Sequence, residues 1–232
     1  MERHEPINWL RSKGFKAYLV GNQVRAILLK QEDYPRDVDI ATEAHPQEIL
    51  RIVRSKRIVP TFIDSKFGVV SFVTEGFDFS LTTFREDIYS AKELSRFKRY
   101  PHQVRFVRSL KKDALRRDIT INAIYFDPQK EHFLDPLGGL KDFQGKIIRV
   151  VGDPKMRFEE DPLRILRVVR FKNLLNFRYQ AETQKALQLK GYLARSLSAS
   201  VRSKELRKIQ ELPRAQEALK ELREFQVVES GL

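Results

Sequence analysis

The chain contains no cysteine in 232 residues, which excludes disulfides and thiolate-bound metal. Histidine is nearly as scarce. His4, His45, His102 and His132 are the only four, and they are too scattered for an imidazole zinc site. A metal held by this chain is therefore expected to be a hard cation on carboxylate oxygens. Also missing is any run of the roughly 18 apolar residues that a bilayer span requires. Met1-Glu2-Arg3-His4 opens without the apolar core of a secretory signal. The cytoplasm is the expected compartment, with no membrane and no protein partner implied.

Acidic residues are the minority charge. Lys and Arg total 44 against 31 Asp and Glu, a formal net charge of +13. That excess favours a polyanion, RNA or DNA ahead of an anionic membrane, although a basic soluble protein has the same signature. Apolar residues make up 41% of the chain, enough for an ordinary interior and against wholesale disorder.

The length admits one large domain or two small ones. Phe15–Val20 and Asp37–Ala41 have strand character, and Gln23–Lys30 and Pro46–Ser55 helical character. Val69–Thr74 and Phe77–Phe84, separated by Glu75-Gly76, predict a hairpin. The mixture predicts an α/β sheet with helices on one face. Residues 85–108 lose this patterning. Arg96, Lys98, Arg99, Tyr100, Arg105 and Arg108 mark a basic stretch read as a long mobile loop. Order is expected again over Leu110–Asp127, followed by the turn-rich Asp135–Leu140 and then Ile147–Val151. Asp161-Pro162 is a strong helix start, and helix is predicted from there to about Phe225, with breaks near Gly191 and Pro213. The resulting division is residues 1–152 and 153–232.

The most suggestive chemistry is Asp37-Val38-Asp39. On a strand these carboxylates share one face, with Cα atoms about 6.6 Å apart. Phosphoryl transfer often uses two cations about 3.5–4 Å apart, between such groups. Alone, the triplet also fits a solvated strand edge. Its setting adds weight, because Gly21-Asn22 precedes a helix whose backbone N–H groups suit phosphate, and Arg25 lies one turn in.

Five segments in order resemble one family. They are Tyr18–Arg25 (YLVGNQVR), Arg36–Thr42 (RDVDIAT), Arg116–Ala123 (RRDITINA), Asp135–Leu140 (DPLGGL) and Arg157–Phe171 (RFEEDPLRILRVVRF). Together they resemble the class II tRNA nucleotidyltransferase and bacterial poly(A) polymerase family over about Tyr18–Phe177. The resemblance implies a polymerase-β-like head, residues 1–152, and an all-helical neck, residues 153–232, with C-terminal body and tail shortened or absent. It also implies Asp37 and Asp39 holding catalytic Mg²⁺, Gly21, Asn22 and Arg25 at the triphosphate, and Arg117, Asp118 and Asn122 at the ribose. Asp161 and Arg164 would read the base edge in place of a template. Their residue types suit this, since a carboxylate accepts hydrogen bonds and a guanidinium donates them. In isolation Asp161 reads instead as a helix cap and Arg164 as a solvated first-turn residue. Arg164, Arg167 and Arg170 recur every three residues as a basic stripe, with Arg167 and Arg170 expected to meet RNA phosphates.

Three positions depart from the family pattern. Asn22 replaces a glycine, Ala26 an acid, and Ser80 the usual third carboxylate, for which Asp78 on the same strand face is the expected substitute. Ser198–Leu206 matches the last helical motif loosely. The implied activity is addition of C and A to tRNA 3′ ends from CTP and ATP. CC-adding, A-adding or poly(A) synthesis use nearly the same motifs, and a degenerate RNA-binding relative is the non-enzymatic alternative.

Overall fold

The structure, a computed structural model, describes residues 3–90 and 100–228. It divides into two compact units. The first comprises Met1–Asp87, Val104–Arg117 and Asn122–Gly139; the second comprises Ile88–Gln103, Asp118–Ile121 and Leu140–Leu232. This corrects the boundary expected at 152/153. Ile119, Ile121, Ile148 and Val150 are buried in the same core as the later helices, so their two stretches, like Ile88–Gln103, belong to the second unit although they precede Gly152. No helix among the described residues is long and apolar enough to cross a membrane.

The first unit is built on a sheet. In chain order its elements are α1 (Glu5–Arg11), β1 (Ala17–Leu19), α2 (Asn22–Leu28), β2 (Asp37–Thr42), α3 (Pro46–Ser55), β3 (Phe62–Asp64), β4 (Val69–Thr74) and β5 (Phe77–Thr83). These are followed by β6 (Arg85–Ile88), β7 (Gln103–Phe106), α4 (Leu110–Leu115), β8 (Tyr125–Asp127) and β9 (His132–Leu134). Seven of the described strands form one mixed sheet in the order β3-β4-β5-β2-β1-β8-β9. β2 and β5 run parallel, and the other neighbours antiparallel.

Alternation along the strands gives the sheet two unlike faces. Val38, Ile40, Val70, Phe72, Phe79 and Leu81 are buried, and α1 and α3 pack on that side. Trp9 of α1 stacks on Phe72 at 6.2 Å, and Phe72 on Phe79 at 5.1 Å. Each such large side chain contributes roughly 1.5–3 kcal/mol by leaving water. α3 starts where its sequence says it should. Pro46 opens the first turn, and the Glu48 side chain accepts from the His45 N–H. The hairpin turn also forms as expected, with Glu75 and Gly76 both at positive φ, +47° and +82°, as a two-residue turn requires.

The stretch from 85 to 108 corrects the mobile-loop expectation at both ends. β6 and β7 pair into a two-stranded ribbon. Around it, the Arg85 N–H donates to buried Asp113, the Val107 N–H donates to Phe84, and Phe106 packs edge-on against His45 at 4.8 Å. Arg105 and Lys112 both face Glu86, so the basic charge is partly balanced locally. Arg96, Lys98 and Arg99 lie outside the described residues.

The second unit holds α5 (Gly139–Gln144), β10 (Ile147–Ile148), α6 (Pro154–Glu160), α7 (Leu163–Leu175), β11 (Arg178–Tyr179), α8 (Ala181–Lys190), α9 (Ala199–Gln210) and α10 (Ala215–Glu224). Helix begins one element earlier than Asp161-Pro162. Asp153-Pro154 carries the same start signal, and the Asp153 carboxylate accepts from the Lys155 and Met156 N–H groups at 2.8 and 3.2 Å. The segment is also not all-helical. Asn176 ends α7 in the left-handed conformation, and the chain turns into β11, which pairs parallel with β10.

Candidate active site

β2 places both carboxylates on the face opposite α1 and α3. Asp37 is exposed, Asp39 half-buried, and Val38 and Ile40 between and beyond them are buried. The turn that leaves β1 lies directly against Asp39. Gly21 has φ +67°, and a Cβ built on it would lie 2.9 Å from Asp39 Oδ2. The Val20 N–H donates to the Asp39 carbonyl at 3.0 Å. Only a residue without a side chain fits this approach in this conformation. Gly21→Ala is therefore expected to swing the Asp39 carboxylate aside and strain the turn by about 1–3 kcal/mol. Nucleotide-incorporation assays alongside thermal melts should show activity falling further than stability alone explains.

Gly21 takes the unusual conformation by itself. Asn22 is the first residue of α2 with ordinary helical backbone, so its departure from glycine costs the turn nothing. Its Oδ1 is enclosed and accepts no hydrogen bond from the described residues. Next to it, buried Gln23 donates to the carbonyls of Pro35 (2.6 Å) and Asp37 (2.9 Å). That clamp, which the sequence did not announce, fixes the start of β2 to α2.

The register between β2 and β5 sets Asp78 opposite Asp37 and Ser80 opposite Asp39. Asp78 is thus on the expected face. Among the described residues no group of three or more His, Asp or Glu side chains converges as a metal site, and Asp37 and Asp39 are the pair that shares one face of a single strand. What remains fits a cation that takes one or two carboxylates and completes its shell with water and substrate phosphates.

Arg25 and Asn122 come together, with Nη1 donating to Oδ1 at 2.6 Å. Arg117 donates to the Asn122 carbonyl at 3.2 Å and to Asp113 Oδ2 at 3.0 Å, and its guanidinium lies 5.0 Å from the Tyr125 ring. Tyr125 completes the set by donating to Asp113 Oδ2 at 2.6 Å. Burial alone would raise the Asp113 carboxyl. The Arg116 and Arg117 guanidiniums, together with bonds from Tyr125 and the Arg85 N–H, instead hold it well below the usual carboxylate range. Asp113 and Tyr125 went unnoticed in the sequence because nothing in their spacing pairs them.

The remaining expected residues lie in the second unit. Asp118, buried, receives Arg167 Nε at 2.7 Å. Asp161 Oδ1 accepts from the Leu163 N–H at 3.1 Å, so the carboxylate does cap α7. Arg164 is only 5% exposed. Its Nη1 donates to Glu160 at 2.9 Å and to the Arg157 carbonyl at 3.1 Å, and its guanidinium lies 5.9 Å from the Tyr89 ring. Glu160 also binds Arg157, making it an orienting carboxylate that the sequence reading overlooked. The solvated first-turn reading of Arg164 therefore fails. The other members of the basic stripe also make ion pairs within the second unit. Arg170 is engaged by Glu205 and lies 4.3 Å from the Phe171 ring, and Arg167 is held by Asp118.

The profile of the Poly A polymerase head domain matches residues 17–149, from β1 to just after β10. The chain belongs to the Poly A polymerase head domain family. Its membership covers the strands and turns that carry Gly21, Asp37, Asp39 and Asn122. Similar proteins extend the likeness beyond the head domain. A CCA-adding enzyme of Geobacillus sp. (strain WCH70) is 39% identical over 228 residues, 97% of this chain and 52% of that protein. One of Pediococcus pentosaceus is 42% identical over 189 residues, 82% of this chain and 45% of that protein. The crystal structure of the Bacillus stearothermophilus CCA-adding enzyme in complex with CTP superposes with TM-score 0.83 at 34% identity, covering 98% of this chain and 53% of that one. A tRNA nucleotidyltransferase complexed with a primer tRNA and an incoming ATP analog gives TM-score 0.76 at 27% identity, covering 97% of this chain and 62% of that one. The chain spans about half the length of the curated relatives it matches.

Proposed function

We propose that this chain adds C and A nucleotides to the 3′ end of tRNA, using CTP and ATP without a nucleic-acid template. The observation that carries the reading is the apposition of Gly21 to Asp39 on a sheet face that also presents Asp37. The likeness to CCA-adding enzymes across nearly all of this chain supports it.

In this reading Asp37 and Asp39 hold Mg²⁺, which fits their hard oxygens and the open space for phosphate ligands. When bound, the metal lowers the pKa of the attacking hydroxyl and neutralises charge on the leaving group. The 3′ oxygen of the RNA forms a bond to the α-phosphorus, the bond to the bridging oxygen breaks, and pyrophosphate leaves in line. Gly21, Asn22 and Arg25 contact the triphosphate. Asn122, held by Arg25 and Arg117, faces the ribose. Asp161 and Arg164 read the base edge, with Glu160 fixing the guanidinium. Asp118 acts by orienting Arg167. The same reading places the protein in the cytoplasm.

Transcripts of tRNA ending before CCA, after C and after CC, offered CTP, ATP or both with Mg²⁺, test this directly. Stepwise completion of CCA, resolved at single nucleotides, is the expected result. Only CC, only A or a long A tail would assign a narrower activity. No extension with tRNA binding intact would favour an RNA-binding relative, the reading that Asn22, Ala26 and Ser80 motivate.

A further inference from the structure

The carboxylate face of the sheet continues past the carboxylates. The registers place Asp39 opposite Ser80, Ser80 opposite Ser71, and Ser71 opposite Phe62. A second row runs from Asp37 to Asp78 to Val73. Residues directly opposite in a sheet share a face, so Phe62 and Val73 stand on the surface that presents Asp37 and Asp39. Both are largely open to solvent, at 56% and 54% exposure. The row from Asp39 to Phe62 contains no other charge, and its two serine hydroxyls lie 3.5 Å apart.

Direction decides what belongs on this strip. The strand order places β1, and with it Gly21, on one side of β2, and β5, β4 and β3 on the other. In-line displacement puts the attacking oxygen opposite the leaving pyrophosphate. With the triphosphate on the Gly21 side, the RNA 3′ end must arrive from the β5-β4-β3 side. Phe62 lies three strand spacings from Asp39, on the order of 14 Å away.

We infer that this strip is the track for the last nucleotides of the RNA, with Phe62 as a stacking platform for a base a few positions upstream of the reacting end. The inference rests on the proposed function for its polarity. An exposed aromatic ring stacks on any base, which suits an end that changes sequence as it grows. Ser80 and Ser71 offer hydroxyls to sugar or phosphate oxygens without adding charge, and Val73 forms an apolar floor.

Two measurements on the full chain test it. In the first, 2-aminopurine replaces each of the last four nucleotides of the RNA in turn, and its fluorescence is read on binding without nucleoside triphosphate. One position should be quenched by the native chain, unquenched by Phe62→Ala and quenched again by Phe62→Trp. In the second, Phe62→Ala should raise the KM for RNA roughly tenfold while leaving the KM for CTP unchanged. Because Phe62 is exposed, an unchanged melt serves as the folding control. Identical quenching in native and Phe62→Ala protein overturns the platform. So does a concentration-dependent dimer that Phe62→Ala abolishes, since a second copy would then cover this face. Absence of nucleotide addition by the native chain would instead defeat the catalytic reading, and the fluorescence arm would still decide whether RNA stacks here.

Discussion

Asp37→Ala and Asp39→Ala should each lower nucleotide incorporation by at least about 10³-fold, the loss expected when several kcal/mol of transition-state charge stabilisation is removed. The fold should survive the first change intact. The Asp37 side chain is exposed, whereas its backbone carbonyl keeps the Gln23 clamp and its strand register. Removing it also relieves a like-charge pair, because Asp78 stands directly opposite. The melting temperature of Asp37→Ala is therefore expected to be unchanged or raised, the pattern of a site that trades stability for function. RNA affinity should hold. If Asp37→Ala incorporates CTP within a few-fold of the native chain, the strand carboxylates are not the metal site. If it loses RNA binding in parallel, their role is structural.

That pair was legible because its geometry is local. Two residues apart on a strand is a statement about one face, and the order of the five motifs fixed the surrounding head. The α3 helix and the β4-β5 turn were equally readable, since Pro46, Glu48 and Glu75-Gly76 act within a few residues of themselves. What escaped depends on distant partners. Asp113 is separated from Tyr125 by 12 positions and from Arg85 by 28. Glu160 stood inside a quoted motif, yet its work on Arg157 and Arg164 depends on how the end of α6 meets the start of α7. β3 and β11 are three and two residues long, too short for any periodicity. The partners of the basic stripe were not legible, because spacing of three reports the face of a helix but not what covers it. Asp118 and Glu205 do so here.

Asp113→Ala is expected to be among the most damaging single changes to stability in the first unit. The carboxylate is fully buried and receives Arg116, Arg117, the Tyr125 hydroxyl and the Arg85 N–H. Removing one partner from a buried charge cluster leaves the others uncompensated, at about 3–5 kcal/mol. For a chain of this size that lowers the melting temperature by roughly 10 °C. The pH dependence gives the cause its own signature. Asp113 titrates lower in the folded state than in the unfolded chain. Its contribution is therefore fully present above the unfolded value near 4, and it is lost as pH falls through the folded value. Tyr125 shifts the other way. Burial raises it, Arg117 opposes the rise and Asp113 adds to it, so its contribution is complete below about pH 10 and fades as pH climbs above that. Denaturant melts followed from pH 7 down to 3 should show the gap between native and Asp113→Ala curves constant above about pH 4 and beginning to narrow below it. Curves that stay parallel would mean that the cost of the substitution is a packing void, and that the charge of Asp113 does not hold Arg117 beside Asn122.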